Sequence, residues 1–127
     1  MAGKEIIVSE KTPAPKGPYS PAVRAGSFIF VSGQGPVDAE TGEVRLGDIK
    51  GQTRLVLSNI KLILEAAGAS LEGVVKTNVY LADIGDFAAM NEVYATFFGE
   101  SPPARTTIEA ANLPLGIGVE IDVVAVG

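Results

Sequence analysis

The sequence contains neither cysteine nor histidine. Without cysteine the chain cannot form a disulfide, offers no thiol nucleophile and cannot build a Cys/His zinc site. Without histidine it cannot carry a Ser-His-Asp catalytic triad. Any chemistry must therefore be performed by carboxylates, arginine, lysine, tyrosine, hydroxyls, backbone groups and water.

Positive charge is also scarce, because ten Lys and Arg residues stand against fifteen Asp and Glu, giving a net charge of −5. The basic residues are scattered singly and form no patch for phosphates, so nucleic acid is not expected as a partner. No apolar run approaches the roughly 20 residues of a membrane-spanning helix, so no membrane partner is expected either. Residues 1–6 lack the apolar core of a secretory signal, which is typical of a mature cytoplasmic start.

Apolar residues, by contrast, are plentiful. They make up 46% of the 127 residues, while charged residues make up 20%. This length predicts a single domain over residues 1–127 that buries roughly two-thirds of its unfolded surface. The apolar surplus favours a subunit interface, because oligomer contacts resemble a domain core cut in half. A tightly packed monomer is the alternative.

Periodicity along the chain predicts an α+β fold. The expected order is strand, strand, strand, helix, strand, helix, strand, strand, at residues 6–8, 22–24, 27–32, 48–67, 75–81, 87–98, 105–109 and 118–126. Residues 12–21 hold four prolines and are predicted to form a stiff extended loop. We expect both helices to pack on one face of a mixed sheet, which leaves the other face for self-association.

Two strands carry more detailed expectations. The run 28–31 is apolar at every position and is predicted to be covered on both faces. In the run 75–81, alternation assigns Val75, Thr77, Val79 and Leu81 to the helix side of the sheet, and it assigns Lys76, Asn78 and Tyr80 to the opposite side.

Arg105 is the first candidate functional residue. Pro102 and Pro103 precede it and β-branched residues follow it, so its backbone is fixed at the start of a strand. A rigid guanidinium presents a two-pronged fork to a carboxylate. The alternative is an ordinary ion pair at a strand edge.

Glu120 is the second candidate, because it is an ionisable residue inside an apolar strand and in the same sheet region as Arg105. Such a carboxylate is paired or functional, and an exposed strand face or a buried salt bridge is the alternative. Asn91 interrupts the apolar face of the second helix, either to tie down a loop or to contact a ligand. We interpret the nearby Asp122 as structural.

The proline-rich loop and the strand end at Ser32 add weaker candidates. Tyr19 lies between two prolines and is either a loop anchor or a lid over a pocket. Ser32 and Gly33 follow a buried strand, where backbone N–H groups could bind a small anion.

Together these segments resemble the Rid family of reactive intermediate deaminases, specifically its RidA-type enamine/imine deaminases. The resemblance rests on Gly17-Pro18-Tyr19-Ser20, Val31-Ser32-Gly33-Gln34, Val75-Lys76-Thr77, the stretch Phe87 through Tyr94, Pro103-Ala104-Arg105 and Val119-Glu120-Ile121, in this order and spacing. These segments extend over nearly the whole chain.

The resemblance implies a chorismate-mutase-like fold and a homotrimer with three clefts between neighbouring subunits. It implies a 2-iminobutanoate/2-iminopropanoate deaminase-type hydrolase, which converts 2-enamino and 2-imino acids such as 2-aminoacrylate to 2-keto acids and ammonia without a cofactor. Arg105 would hold the substrate carboxylate and Glu120 would orient water. Residues lining the pocket would be Tyr19, Ser32, Gly33, Asn91 and Thr107. Thr107 stands where many relatives have cysteine, so this chain cannot depend on a thiol there.

Two other functions stay open at this point. The first is a ribonuclease or translation inhibitor, an activity also attached to this family, although a chain without histidine is poorly equipped for acid–base cleavage of RNA. The second is a non-enzymatic module, ligand-sensing or chaperone-like, that uses the same carboxylate pocket.

Overall fold

The computed structural model describes residues 3–127. Met1 and Ala2, on which part of the expectation about the N-terminus rests, lie outside the described residues. The chain forms β1 (Lys4–Ile7), β2 (Ala22–Ala25), β3 (Phe28–Gln34), α1 (Ile49–Ala66), β4 (Val74–Leu81), α2 (Phe87–Phe98), β5 (Ala104–Glu109) and β6 (Val119–Val126). Short 3₁₀ turns at Leu71–Gly73, Ile84–Asp86 and Pro114–Gly116 connect some of them. The predicted order of strands and helices is confirmed.

All six strands join one sheet in the order β1-β2-β3-β6-β4-β5. Every pairing is antiparallel except the one between β4 and β5, which α2 connects as a parallel crossover. Both helices lie on one face of this mixed sheet, so the predicted α+β architecture is confirmed. The last strand, β6, lies between β3 and β4 and therefore has neighbours on both sides.

Helix α1 begins and ends where its sequence indicates. The Asp48 carboxylate accepts a hydrogen bond of 2.9 Å from the Gly51 N–H and caps the first turn. Gly68 follows the last turn with a φ of 78°, a conformation that glycine adopts without strain. The buried face of α1 covers the centre of the sheet. Neither α1 nor α2, within residues 3–127, is long and apolar enough to cross a membrane.

Helix α2 also has its predicted bounds, but its first turn lacks a side-chain cap like the one Asp48 gives to α1. Asp86 is the N-cap residue, yet its side chain makes no capping hydrogen bond. Instead the Asp83 carboxylate accepts from the Gly85 N–H at 2.8 Å and orders the preceding 3₁₀ turn. Gly99 ends the helix with a φ of 62°.

A β-bulge in β4 overturns one expectation from the sequence. The pairing of β4 with β6 slips between Val74 and Lys76, so Val74 enters the core and Val75 is left 44% exposed. The predicted alternation holds after the bulge, where Thr77, Val79 and Leu81 are buried against the helices. The extra residue of the bulge shifts which side chains before it face the core, and an alternating sequence pattern gives no sign of such a shift.

The sheet face opposite the helices is uncovered in this chain. On β3, Ile29 and Val31 are buried, but Phe28 and Phe30 are 45% and 47% exposed. The prediction that this strand is covered on both sides is therefore wrong for the single chain. Cross-strand neighbours extend the apolar surface, because Phe30 pairs with Val23 and with Val124. This surface, called the open face below, is built from β1–β6 on the side away from α1 and α2.

Candidate functional site

Arg105 lies against the aromatic side chains of α2. The second residue of β5, it projects toward the helix layer because it pairs with Thr77, which is fully buried on that side. Its guanidinium carbon lies 4.7 Å from the centroid of the Tyr94 ring and 5.4 Å from that of Phe87. Both distances suit a cation–π interaction. The rings are seven residues apart on one face of α2 and hold the guanidinium between them.

No carboxylate neutralises this guanidinium within the described chain. The salt bridges formed among residues 3–127 involve Arg24, Arg45 and Lys50, and Arg105 takes part in none of them. The interpretation of Arg105 as an ordinary ion pair therefore finds no partner in residues 3–127. A half-buried, rigidly held cation of this kind can receive an external anion.

Two buried polar atoms accompany Arg105. Three buried side-chain atoms in residues 3–127 lack a hydrogen-bond partner, and Asn91 Oδ1 and Thr107 Oγ1 are two of them. Asn91 lies four residues after Phe87 and three before Tyr94, so it shares their helix face. Thr107 is two positions after Arg105 on β5 and points to the same side of the sheet. Asn91 and Thr107 thus bring hydrogen-bonding atoms that are unused within residues 3–127 to the same side of the sheet as Arg105.

Tyr94 links this cluster to the core. Its hydroxyl shares a hydrogen bond of 2.7 Å with the Thr77 hydroxyl, and both side chains are buried. Burial raises the pKa of Tyr94, while Thr77 and the Arg105 cation act in the opposite direction. Tyr94 therefore stays protonated at neutral pH and serves as a fixed platform. We call Arg105, Thr107, Asn91, Phe87 and Tyr94 the arginine cluster.

Glu120 lies on the other side of the sheet. It pairs with Tyr80, whose side chain points away from the helices because Thr77, Val79 and Leu81 occupy the core side of β4. Glu120 is half-buried, and this burial raises the pKa of its carboxyl group above the ordinary value, with a smaller contribution from the negative charge of Asp122. A raised pKa makes the carboxyl group a better proton acceptor once it is ionised.

Gly33 makes room for this carboxylate. It lies at an irregularity in the pairing of β3 with β6, between Val31 and Gln34. A Cβ atom at Gly33 would overlap the Glu120 carboxylate and would lie 3.0 Å from its Cδ atom. Only glycine therefore permits the observed Glu120 position.

A cavity of about 120 Å³ adjoins Glu120 and Gly33. Its other lining residues are Pro13, Ala14, Pro15, Lys16, Tyr19, Pro21, Gln34, Gly35, Val37, Pro114, Leu115 and Ile117. The proline-rich loop thus forms one wall, and the turn before β6 forms another. Glu120, Gly33 and Tyr19 are called the glutamate cluster below.

Ser32 binds the proline-rich loop and, contrary to the expectation from the sequence, does not offer its backbone N–H to an anion. Its hydroxyl donates to the Ser20 carbonyl at 2.6 Å, and its backbone N–H donates to the Pro21 carbonyl at 3.0 Å. These groups hold the proline-rich loop against β3, so the Ser32 N–H is not available to a small anion. Ser32 supports the wall that carries Tyr19.

Asp122 is occupied by its neighbours on the open face. Asn78 Nδ2 donates to Asp122 Oδ1 at 2.8 Å, and the same carboxylate raises the pKa of Tyr80 beyond the effect of burial. These contacts agree with the structural role expected for Asp122. Within residues 3–127, no group of three His, Cys, Asp or Glu side chains is arranged to hold a metal ion.

The two clusters do not meet within one chain. Arg105, Thr107 and Asn91 lie on the helix side of the sheet at its β5 edge, whereas Glu120, Gly33 and Tyr19 lie about the cavity beside the open face. The expectation that Arg105 and Glu120 share one sheet region thus needs correction, since they point to opposite faces. Within one chain, the arginine cluster and the glutamate cluster therefore lie on opposite faces of the sheet.

Sequence reasoning missed two groups of residues. It did not indicate that Phe87 and Tyr94 pack against Arg105, although two aromatic residues seven apart before a β-edge arginine are a usable signal. It also missed the apolar cavity wall formed by Pro114, Leu115 and Ile117, because contacts made by an irregular turn have no periodic signature.

Known proteins resemble this chain both in sequence and in structure. A sequence profile of the endoribonuclease L-PSP family matches residues 9–127. A RutC family protein of Pyrococcus horikoshii is 57% identical over 122 residues, which span 96% of this chain and 97% of the relative. Reactive Intermediate Deaminase A, chloroplastic, of Arabidopsis thaliana is 43% identical over 96% of this chain and 65% of its own length.

Solved structures agree with the sequence comparison. RidA from an Antarctic Psychrobacter superimposes with a TM-score of 0.93 at 46% identity, covering 97% of this chain and 99% of the other. Escherichia coli TdcF with bound serine superimposes with a TM-score of 0.92 at 41% identity, covering 97% and 98% of the two chains.

Proposed function

The chain belongs to the endoribonuclease L-PSP family, and from this premise we propose that it hydrolyses reactive 2-enamino and 2-imino acids to 2-keto acids and ammonia. The observation that carries the proposal is the arginine cluster: an unneutralised guanidinium on two aromatic rings, beside two buried polar atoms without partners. Relatives named as reactive intermediate deaminases support it. So does the related TdcF structure, whose bound serine has an α-carboxylate.

The complete site is proposed to form between subunits of a homotrimer. The arginine and glutamate clusters lie on different surfaces of the chain, and a head-to-tail contact between copies would join the arginine cluster of one to the glutamate cluster of the next. Head-to-tail contacts close into rings when the rotation permits, and a threefold ring yields three equivalent sites. The exposed Phe28 and Phe30 on the open face supply apolar surface for such an assembly.

In this site Arg105 holds the substrate carboxylate through its two-pronged guanidinium. Asn91 and Thr107, whose buried polar atoms lack partners, contribute hydrogen bonds to the same ligand. The substrate is thereby fixed with its C2 atom directed toward the glutamate cluster of the neighbouring subunit. Holding the two reactants in this geometry lowers the activation free energy, because their translational and rotational entropy is already lost on binding.

Glu120 then orients the attacking water. The water oxygen forms a bond to C2 of the imino acid, and Glu120 accepts a proton from that water. Glu120 returns this proton to nitrogen, which gives a carbinolamine. The hydroxyl proton of the carbinolamine then moves to nitrogen as the C=O bond forms and the C–N bond breaks, releasing ammonia and leaving the 2-keto acid. The atoms balance without an oxidant, a metal or a cofactor: one water and one imino acid give one keto acid and one ammonia. An enamine such as 2-aminoacrylate enters the reaction as its imine tautomer.

Subunit complementation tests both the reaction and the shared site. Arg105→Ala and Glu120→Gln are each expected to abolish most turnover of imino acids generated by an amino-acid oxidase. When the two variants are co-expressed in equal amounts, random threefold assembly leaves about one quarter of the sites with both residues intact. Activity should therefore return to that level in the mixed trimers. Mixed trimers as inactive as their parents would mean that no site combines Arg105 of one chain with Glu120 of another, and this would overturn the shared site.

Ribonuclease activity is a second candidate because of the family's name. The chain has no histidine and a net charge of −5, and both features disfavour RNA binding and acid–base cleavage. A non-enzymatic binding module is separated from the deaminase by Glu120→Gln, which should abolish turnover while 2-keto acid binding persists. A protein that binds keto acids and shows no turnover in its unaltered form would be such a module.

A further inference from the structure

Leu115 has an unusual conformation at the wall of the cavity. Its φ of 62° makes it the only non-glycine residue with positive φ in residues 3–127. Its side chain is 58% exposed, and it lines the same cavity as Glu120. These three observations are independent of one another.

Both the backbone and the side chain of Leu115 are unfavourable for folding alone. A left-handed conformation brings Cβ too close to the following carbonyl oxygen, and glycine would avoid this. An exposed leucine also leaves apolar surface in water. Pro114 before it and Gly116 after it, with a φ of 69°, form the turn that holds the side chain outward. Backbone strain that the fold does not need is a known feature of binding sites.

The cavity surface around Leu115 is apolar. Pro114 and Ile117 flank it in sequence, and Val37 and the prolines of residues 13–15 supply the rest of that surface. The charged groups of the lining are Glu120 and Lys16. A substrate whose C2 atom lies at Glu120 would therefore extend its side chain against apolar atoms.

We propose that Leu115 determines substrate specificity by contacting the substrate side chain, so that the site favours 2-imino acids with branched aliphatic side chains over 2-iminopropanoate. The inference rests on the proposed function, because it assumes that the ligand's reacting end lies at Glu120. Removing one apolar contact in such a pocket changes discrimination about tenfold or more.

Two substitutions separate the side chain from the backbone strain. Leu115→Ala removes most of the side chain but keeps a Cβ atom in the left-handed conformation, whereas Leu115→Gly removes both. The ratio of kcat/KM for 2-imino-4-methylpentanoate to that for 2-iminopropanoate should fall about tenfold in both variants. Leu115→Gly should melt at a higher temperature than Leu115→Ala. Leu46→Ala is the matched control, because Leu46 is 57% exposed but does not line the cavity, and it should leave the ratio unchanged.

Binding measurements distinguish failure of this inference from failure of the proposed reaction. The Kd ratio for 4-methyl-2-oxopentanoate and pyruvate should move with the kcat/KM ratio, and it requires no turnover. A changed Kd ratio in a protein without turnover would reject the deaminase and keep the specificity role. An unchanged Kd ratio in Leu115→Ala would overturn the specificity role, and so would loss of trimer mass in that variant. A wild-type preference for imino acids with a carboxylate side chain, which Lys16 would favour, would also overturn it.

Discussion

The guanidinium of Arg105 lies over the ring of Tyr94, and the Tyr94 hydroxyl is hydrogen-bonded to Thr77 in the core. An edge strand alone leaves a long side chain free to move. Here the Tyr94 ring restricts the position of the Arg105 guanidinium, and the hydrogen bond to Thr77 restricts the position of the ring. The Arg105 guanidinium is therefore supported from the hydrophobic core through α2.

This relationship predicts different results for two substitutions at Tyr94. Tyr94→Phe retains the ring, so we expect pyruvate affinity within about twofold of wild type and a loss of stability of about 1 kcal/mol from the missing hydrogen bond. Tyr94→Leu removes the ring and should weaken pyruvate binding about fivefold, as the loss of about 1 kcal/mol of cation–π interaction implies. Calorimetric titration and thermal melting measure the two effects. Equal affinities for the two variants would show that the ring does not support Arg105.

Arg105 itself should carry most of the ligand affinity. Removing one partner of a desolvated charge pair costs about 2–5 kcal/mol, so Arg105→Ala should weaken pyruvate binding about 30-fold or more. Arg105→Lys should restore little of it, because an ammonium group cannot reproduce the two parallel hydrogen bonds. Wild-type affinity in the alanine variant would remove Arg105 from the site.

Substitution of Gly33 is expected to reduce activity without unfolding the protein. The Cβ atom of Gly33→Ala would displace the Glu120 carboxylate, which is the mobile end of a side chain and can shift without disturbing the backbone. We expect a melting temperature close to that of wild type and turnover lower by about 10²-fold, the scale of a misplaced catalytic group. Gly3→Ala, at a position with open space around it, is the control. Unaltered turnover in Gly33→Ala would mean that the Glu120 position is unimportant.

The open face predicts a change of assembly. Phe30→Glu places a charge among apolar neighbours on β3 and β6, so we expect it to dissociate the proposed trimer. Turnover should be lost with it, although both clusters remain intact in each chain. Light scattering after size exclusion reports particle mass, and circular dichroism checks that the variant is folded. A folded, active monomer would contradict a site shared between subunits.

Much of this fold could be predicted from the sequence, because the long elements have clear periodicity and terminal signals. Asp48 and Gly68 mark the ends of α1, and the alternation in β6 places Val119, Ile121 and Val123 in the core. The bulge at Val75 could not be predicted, since it depends on how β4 meets β6.

Individual candidate residues could be proposed from the sequence, but their arrangement in space could not. Arg105 and Glu120 were both identified from their local sequence. Their placement on opposite faces follows from the strand order β3-β6-β4-β5 and from the register that pairs Arg105 with Thr77 and Glu120 with Tyr80. Such long-range pairing is a property of tertiary packing, so a single sequence did not reveal that Arg105 and Glu120 lie on opposite faces of the sheet.

Glu120→Gln is expected to change both turnover and the pH dependence of stability. The variant keeps the shape of Glu120 but removes its charge and its capacity to accept a proton, so turnover should fall by about 10²–10⁴-fold while pyruvate binding changes little. If Glu120 were only structural, the variant would lose stability or trimer mass and would keep its activity per folded trimer.

The pKa of Glu120 gives the sign of the stability effect. Because burial, and secondarily Asp122, raise the pKa of this carboxyl group in the folded protein, the unfolded chain ionises first as pH rises above its ordinary value of 4.5. Wild type and Glu120→Gln should therefore have similar stability at pH 4 and below, and wild type should become the less stable of the two as pH rises through the folded pKa. Melting temperatures of the ligand-free proteins between pH 4 and pH 8 measure this difference. Asp122→Asn is the matched control, since removing its charge should lower the folded pKa of Glu120 and move the transition to lower pH. A wild type that gains stability over Glu120→Gln with rising pH would require a cation beside Glu120 and would overturn the assignment of a raised pKa.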